Sequence, residues 1–155
     1  MDGLSIAASI LAVIQVADRV ISLCKFYLAL SRDAPSDIRI IWIETSSLRT
    51  ILDNIQFLTA NGHGLSLNTL VGSDGPIEGC RKALGELSGL FPSDNLNASA
   101  CDGGSGDRSQ PKRRKLKDVW ATLAWPFKEG TARKLLVEIA HHKTTLNLAL
   151  TADIR

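Results

Sequence analysis

The N-terminal segment constrains the fold of this chain more than any other feature of the sequence. Between Asp2 and Asp18 there is no charged residue, and apolar side chains continue beyond that point to Leu30. They cover more than one side of a helix, which is typical of a helix packed among several neighbours or placed in lipid. The sequence therefore predicts a helix over Gly3–Leu30 around which the rest of the fold is organised.

The charge-free first part of this segment is too short to be a resting membrane span. As a helix, the charge-free run Gly3–Ala17 is about 22 Å long, whereas the hydrocarbon core of a bilayer is about 30 Å thick. Extending the run adds Asp18 and Arg19, each costing about 2.5–3.5 kcal/mol at mid-membrane. A secretory signal would need positive charge before its apolar core, where Asp2 is the only charge. We therefore expect the resting monomer to be soluble.

The remainder of the chain shows the periodicity of helices. Apolar positions recur at steps of three and four residues, which is typical of helices that face a bundle. These steps predict four further helices: about Pro35–Thr59, from near Pro76 to a stop at Pro92, from near Leu116 to Trp125-Pro126, and about Lys128–Ala152.

The breaks between these helices complete the prediction of the fold. Residues 93–111 are rich in Gly, Ser, Asp and Asn, which is typical of a solvated, disordered loop. No segment shows the alternation of a β-strand. We therefore predict one all-α domain over residues 1–155, a helical bundle of about five helices.

No motif points to catalysis, a cofactor or a metal. Cys24, Cys80 and Cys101 are far apart and lack the paired spacing of zinc ligands. His141 and His142 are adjacent, so on a helix their side chains point about 100° apart. We expect a non-enzymatic protein with two buried thiols and one loop thiol.

Positive charge is concentrated in one short stretch. Five basic residues lie there without an acid, and outside it 13 basic residues face 16 acidic ones. The stretch consists of Lys112, Arg113, Arg114, Lys115 and Lys117. A nucleic-acid-binding fold usually spreads its basic charge over a face, so we expect no nucleic-acid partner. Three interpretations stay open: a nuclear-localisation peptide, a cluster attracted to anionic lipid, or a solvated helix start.

Small residues recur at four-residue spacing in the first helix. The pairs are Gly3/Ala7, Ser5/Ser9 and Ala8/Ala12. Such spacing lets helices approach closely in lipid, and it serves close packing in a soluble bundle equally well. The residues alone leave both alternatives open.

Several runs, taken in this order, carry a resemblance to a known family. They are Met1–Ile10 and Val13–Ala17; Ser36–Arg39 leading to Glu44 and Ser47-Leu48; Gly75–Ile77 followed by Cys80 and Leu84; and Trp125–Lys128 with the tail His142–Leu150. With them, nearly the whole chain outside Ser93–Pro111 resembles the HeLo-like N-terminal domains of fungal STAND proteins, the NOD-like receptors. In that family the domain is often followed by NACHT or ankyrin modules.

The resemblance implies a signalling or cell-death effector domain. Related domains are thought to expose the N-terminal helix on oligomerisation and to insert it into membranes. That role would map here onto Leu4, Ile6, Ala7, Ile10, Leu11, Val13 and Ile14. The implied partners are further copies of the chain, anionic membrane lipids, and NACHT or ankyrin modules in a longer parent protein.

The implied location is the cytoplasm, with movement to the membrane on activation; the basic stretch makes the nucleus an alternative. Unlike a full receptor of this family, the sequence to Arg155 contains no nucleotide-binding segment, so we expect an excised domain or a short stand-alone relative. The second functional hypothesis is an adaptor domain, a protein-interaction module whose N-terminal helix stays permanently buried.

Overall fold

The computed structural model describes residues 3–30, 35–62, 70–91 and 125–153. Within these ranges the chain forms helices and turns, without a strand. The helices are α1 (Gly3–Leu30), α2 (Ser36–Ala60), α3 (Pro76–Leu90) and α4 (Trp125–Asp153). The prediction of an all-helical fold with a long apolar N-terminal helix is confirmed for this part of the chain.

The helix ends follow from local chemistry. α2 begins after Pro35, whose carbonyl accepts a hydrogen bond from the Ile38 amide at 3.1 Å. It ends before Asn61, whose side-chain amide donates to the Phe57 carbonyl at 2.9 Å. Gly62 follows with φ +86°, a left-handed conformation that glycine adopts without strain. α3 starts with a proline, which suits a first turn because the missing N–H has no partner there.

The predicted start of the last helix was wrong. The pair Trp125-Pro126 was interpreted as the end of a short helix, but both residues belong to the first turn of α4. Proline is accepted there for the same reason as in α3. The predicted short helix before this point and the predicted loop 93–111 lie outside the described residues. The described ranges contain four helices where the sequence predicted about five for the whole chain.

The four helices form a bundle in which α1 and α4 each pack against both α2 and α3. α1 and α2 run antiparallel. Asp18 of α1 is paired with Arg49 of α2. Two turns later in α1, Lys25 lies 6.0 Å from the ring of Trp42, which precedes Arg49 in α2.

α2 and α4 run parallel, because two ion pairs connect them in the same order. Asp37 lies 3.6 Å from Arg133, and two turns later Glu44 accepts a hydrogen bond from Lys143 at 2.5 Å. Only the second pair is well shielded, with side chains 29% and 21% exposed. The ion pairs therefore mark the register of α2 and α4, while apolar burial supplies most of their stability.

Aliphatic side chains from all four helices fill the interior. The fully buried set includes Ile10, Leu48, Leu84 and Ile139. Tyr27, at the end of α1, stacks on Phe91 just after α3, with ring centroids 5.4 Å apart. The first turns of α1 and α3 also lie side by side, with Ser5–Val13 near Ile77 and Arg81, so α1 and α3 run parallel.

The two described cysteines confirm the expected buried thiols. Cys24 in α1 and Cys80 in α3 are free and buried. Burial raises the pKa of each thiol to about 12. Both side chains therefore act as small apolar groups at neutral pH. Cys101 lies outside the described residues.

α3 and α4 approach closely at one point. A Cβ atom added to Gly79 would overlap the imidazole of His142. The pKa of His142 is lowered, first by burial and then by the charge of His141, while Glu138 acts in the opposite direction. The neutral imidazole thus lies directly on the backbone of α3.

We predict that Gly79→Ala is less stable than Gly85→Ala, because the new methyl group displaces the His142 imidazole from α3. The cost of this displacement offsets part or all of the gain of up to about 1 kcal/mol in helix propensity that alanine brings. Adding His142→Ala should recover part of this cost. Urea denaturation measures the free energy of unfolding.

Gly85→Ala is the matched control in the same helix. No atom lies within 4 Å of its added Cβ, so this variant should be stabilised by about 0.5–1 kcal/mol. If both substitutions stabilise equally, the contact between the His142 imidazole and α3 contributes nothing to the free energy of unfolding.

Candidate functional site

α1 has one buried side and one open side, and neither side carries a charge before Asp18. Ile6, Ile10, Val13 and Ile14 are no more than 5% exposed and lie in the shared core. On the opposite side Ser5, Ala8, Leu11 and Ala12 face outward. The open side carries no charge before Arg19.

The seven residues predicted to be membrane-active therefore do not share one face. Four of them form the buried row, Ala7 is half-buried, and Leu11 is 45% exposed. The side chain of Leu4 lies outside the described residues. Their role in a membrane stays a prediction, and Leu11 is the member that a folded bundle presents to its surroundings.

The charge-free half of α1 ends at an ion pair with α2. Arg49 donates through Nε to Asp18 and through Nη1 to Asp53, the latter at 2.6 Å. The hydrogen bond to Asp18 and the charges of both carboxylates raise the pKa of Arg49, so its guanidinium stays charged. Since the side chains are 39–49% exposed, this network adds little stability but fixes the register of α1 against α2.

A groove of about 400 Å³ runs between the first half of α1 and α3. It is lined by Ser5, Ala8, Ser9, Ala12, Val13, Val71, Ile77, Glu78 and Arg81. Two of the four-residue pairs noted in the sequence thus line an open cleft. Side chains this small do not fill the space between the two helices.

The charged residues of the groove satisfy each other. Arg81 donates through Nε and Nη2 to the two carboxylate oxygens of Glu78, at 2.9 and 2.5 Å. The same hydrogen bonding lowers the pKa of Glu78. Among the described residues no group of three His, Cys, Asp or Glu side chains is placed to hold a metal ion.

The groove was missed at the sequence level, where the only signal was the spacing of the small residues. The basic residues 112–117 lie outside the described ranges, so their three interpretations stay open. His141 is exposed and His142 packs on Gly79, but the two rings do not diverge as expected: their centroids lie 5.7 Å apart in an edge-to-face contact.

By length and composition, Ser5–Ala29 meets the criteria of a membrane span. Core helices of soluble proteins and signal sequences meet the same criteria. Within this stretch Asp18, Arg19 and Lys25 are charged, and all three lie in its second half.

Comparison with family models, curated protein sequences and solved structures gives no match for this chain.

Two adjacent substitutions in α1 test the assignment of its faces. Ile10→Ala should lower the free energy of unfolding by about 2–5 kcal/mol, because it opens a cavity in the core. Leu11→Ala should change it by less than about 1 kcal/mol, since the side chain is half exposed. Chemical denaturation of both variants measures the difference. Equal losses would contradict the assigned faces.

Proposed function

We propose that this chain is a HeLo-like helical effector domain without enzymatic activity, in which the first half of α1 leaves the bundle when copies cluster and then enters a membrane. The observation that carries the proposal is the absence of charge before Asp18 on both the buried and the open side of this helix. A helix that only served a soluble core would need apolar residues on its buried side alone.

The structure supports separate behaviour of the two halves of α1. The first half borders the groove, so on that side it lacks close neighbours. The second half begins with the Asp18–Arg49 ion pair and ends with Tyr27 buried against Phe91. Release of residues up to about 17 would leave this second half attached.

The energetics require a trigger. Exposing the four buried aliphatic side chains of the first half to water would cost roughly 6–12 kcal/mol. Lipid offsets this cost, because it takes up the same side chains together with Leu11. A resting monomer therefore keeps the helix packed, and a state that favours release must be selected by a partner or by clustering.

The inserted length limits what one copy can do. About fifteen residues span about 22 Å of a hydrocarbon core that is about 30 Å thick. Several copies inserted together would thin and permeabilise the bilayer where a single copy would not span it. The basic residues 112–117 would add roughly 1 kcal/mol each at an anionic surface.

Leakage of anionic vesicles tests this proposal. The domain, fused to an inducible oligomerisation tag, should release a trapped dye only after clustering. Leu11→Asp should abolish leakage, since an acid at mid-membrane costs about 2.5–3.5 kcal/mol. Its half-exposed position leaves the folded monomer intact.

Leu148→Asp is the matched control, since this side chain is 67% exposed on α4. It should leave leakage unchanged. Both variants must keep the thermal melting temperature of the wild type. If the clustered wild-type domain never permeabilises anionic vesicles, membrane insertion is excluded.

The burial of Ile6, Ile10, Val13 and Ile14 favours a second candidate, an adaptor domain whose α1 stays in the core. In that case the domain does not float with vesicles in a density gradient, clustered or not. Flotation measured beside thermal melting separates the two functions.

A further inference from the structure

Exposed apolar surface is concentrated on α2. The described residues include seven large hydrophobic side chains that are strongly exposed, and four of them belong to this helix. They are Ile40, Trp42, Ile43 and Phe57. α2 already buries a full row of aliphatic residues in the core, so this second set is not needed for folding.

Three of these residues belong to one row along the outside of α2, which we call the α2 stripe. Its members are Ile40, Ile43, Ser47, Thr50, Asn54 and Phe57, at alternating steps of three and four residues. Every member is exposed and none is charged. Steps of this kind place all six on one face of the helix.

The polar members of the stripe are uncharged, and one of them is already hydrogen-bonded within α2. The hydroxyl group of Thr50 already donates to the Ser46 carbonyl at 3.1 Å. Ser47 and Thr50 lie at the middle of the stripe, so another helix can approach closely there. The bulky members lie towards its two ends, with Ile43 61% and Phe57 68% exposed.

The order of these residues is symmetric about the middle of the stripe. In an antiparallel pair of identical helices, Ile40 would lie opposite Phe57, Ile43 opposite Asn54, and Ser47 opposite Thr50. The bulky Ile40 and Phe57 then meet at both ends, Ile43 lies against Asn54, and the small residues meet at the two-fold axis. Self-complementarity of this kind is what a two-fold interface between identical chains requires.

The lack of charge on the α2 stripe and its small area both limit which molecule can pack on it. Two uncharged stripes meet without repulsion, whereas a charged partner would find no counter-charge on this face. The stripe is about 27 Å long and about 10 Å wide, roughly 270 Å². A stable interface buries roughly 800 Å² on each partner. Contact through the stripe is therefore weak between free monomers and becomes favourable when copies are held together.

We propose that the α2 stripe is a self-association surface, on which a second copy of this chain packs its own stripe in antiparallel orientation. For its biological role the inference rests on the proposed function, which requires clustering, but the association itself needs no membrane. In this proposal copies of the chain cluster through α2, and the open side of α1 stays uncovered.

Sedimentation equilibrium of the full chain over increasing concentration tests the association. The wild type should form dimers at high concentration. Ile43→Glu should weaken dimerisation at least about tenfold, because it brings an unpaired charge into an interface that offers no counter-charge. Val137→Glu is the matched control, since Val137 is 70% exposed on α4, and it should leave dimerisation unchanged.

Cysteine crosslinking tests the orientation. In a Cys101→Ser background, a mixture of Ile43→Cys and Asn54→Cys chains should form a mixed disulfide under mild oxidation. Ile43→Cys chains alone should crosslink poorly, because an antiparallel pair separates the two copies of that position. A parallel pair would reverse this result and overturn the proposal.

The remaining outcomes are also decisive. Concentration-independent behaviour of the wild type, or equal effects of Ile43→Glu and Val137→Glu, would overturn the proposal. A fall in the melting temperature of the Ile43→Glu monomer at all concentrations would show that another part of the same chain covers the stripe. If dimerisation is confirmed but vesicle leakage is absent, the stripe stands and the proposed membrane function fails.

Discussion

One row of side chains on α1 holds this bundle together. It runs from Ile6 through Ile10, Val13 and Ala17 towards Tyr27, and all of these are almost completely buried. α1 packs against α2 and α3, so the row contributes to the core on both sides. Each fully buried aliphatic side chain adds about 1.5–3 kcal/mol, which makes this row a large part of the stability of a domain this small. Any function that removes the first half of α1 must replace that burial.

The second constraint is that different faces of α2 carry different kinds of residues. Its inner row lies in the core and its flanks carry the charges that pair with α1 and α4. The outer row is left without charge. The ion pairs of α2 lie on its flanks and at the buried Asp37, so the bundle holds the helix in register without using its outer face. α1 and α2 expose different faces, so the proposed association through α2 and the proposed release of α1 would not compete for the same surface.

The sequence predicted most of the helical framework because its signals are local. The bounds of α1 follow from charge and periodicity, Pro76 marks the start of α3, and the buried row of α2 from Ile38 to Ile55 follows the three- and four-residue steps. The interpretation of Trp125-Pro126 as a helix end was wrong because a proline can follow the end of a helix or stand in its first turn. The buried and open sides of α1 were not separated, since neither carries a charge before Asp18 and the neighbouring helices decide which side is covered. The groove was hidden for a related reason: it depends on how α1 meets α3, and small-residue spacing suits both a tight contact and a cleft.

The contact between Gly79 and His142 has an evolutionary consequence. A side chain at position 79 requires the imidazole at position 142 to move, and a large residue at position 142 can lie on α3 in this way only while position 79 is glycine. The two positions are therefore expected to change together among descendants of this sequence, as a coupled pair across two helices that are far apart along the chain. A relative with alanine at the first position and a smaller residue at the second would keep the same spacing between α3 and α4. Variation at these two sites thus traces the geometry of the bundle even where the surface has diverged.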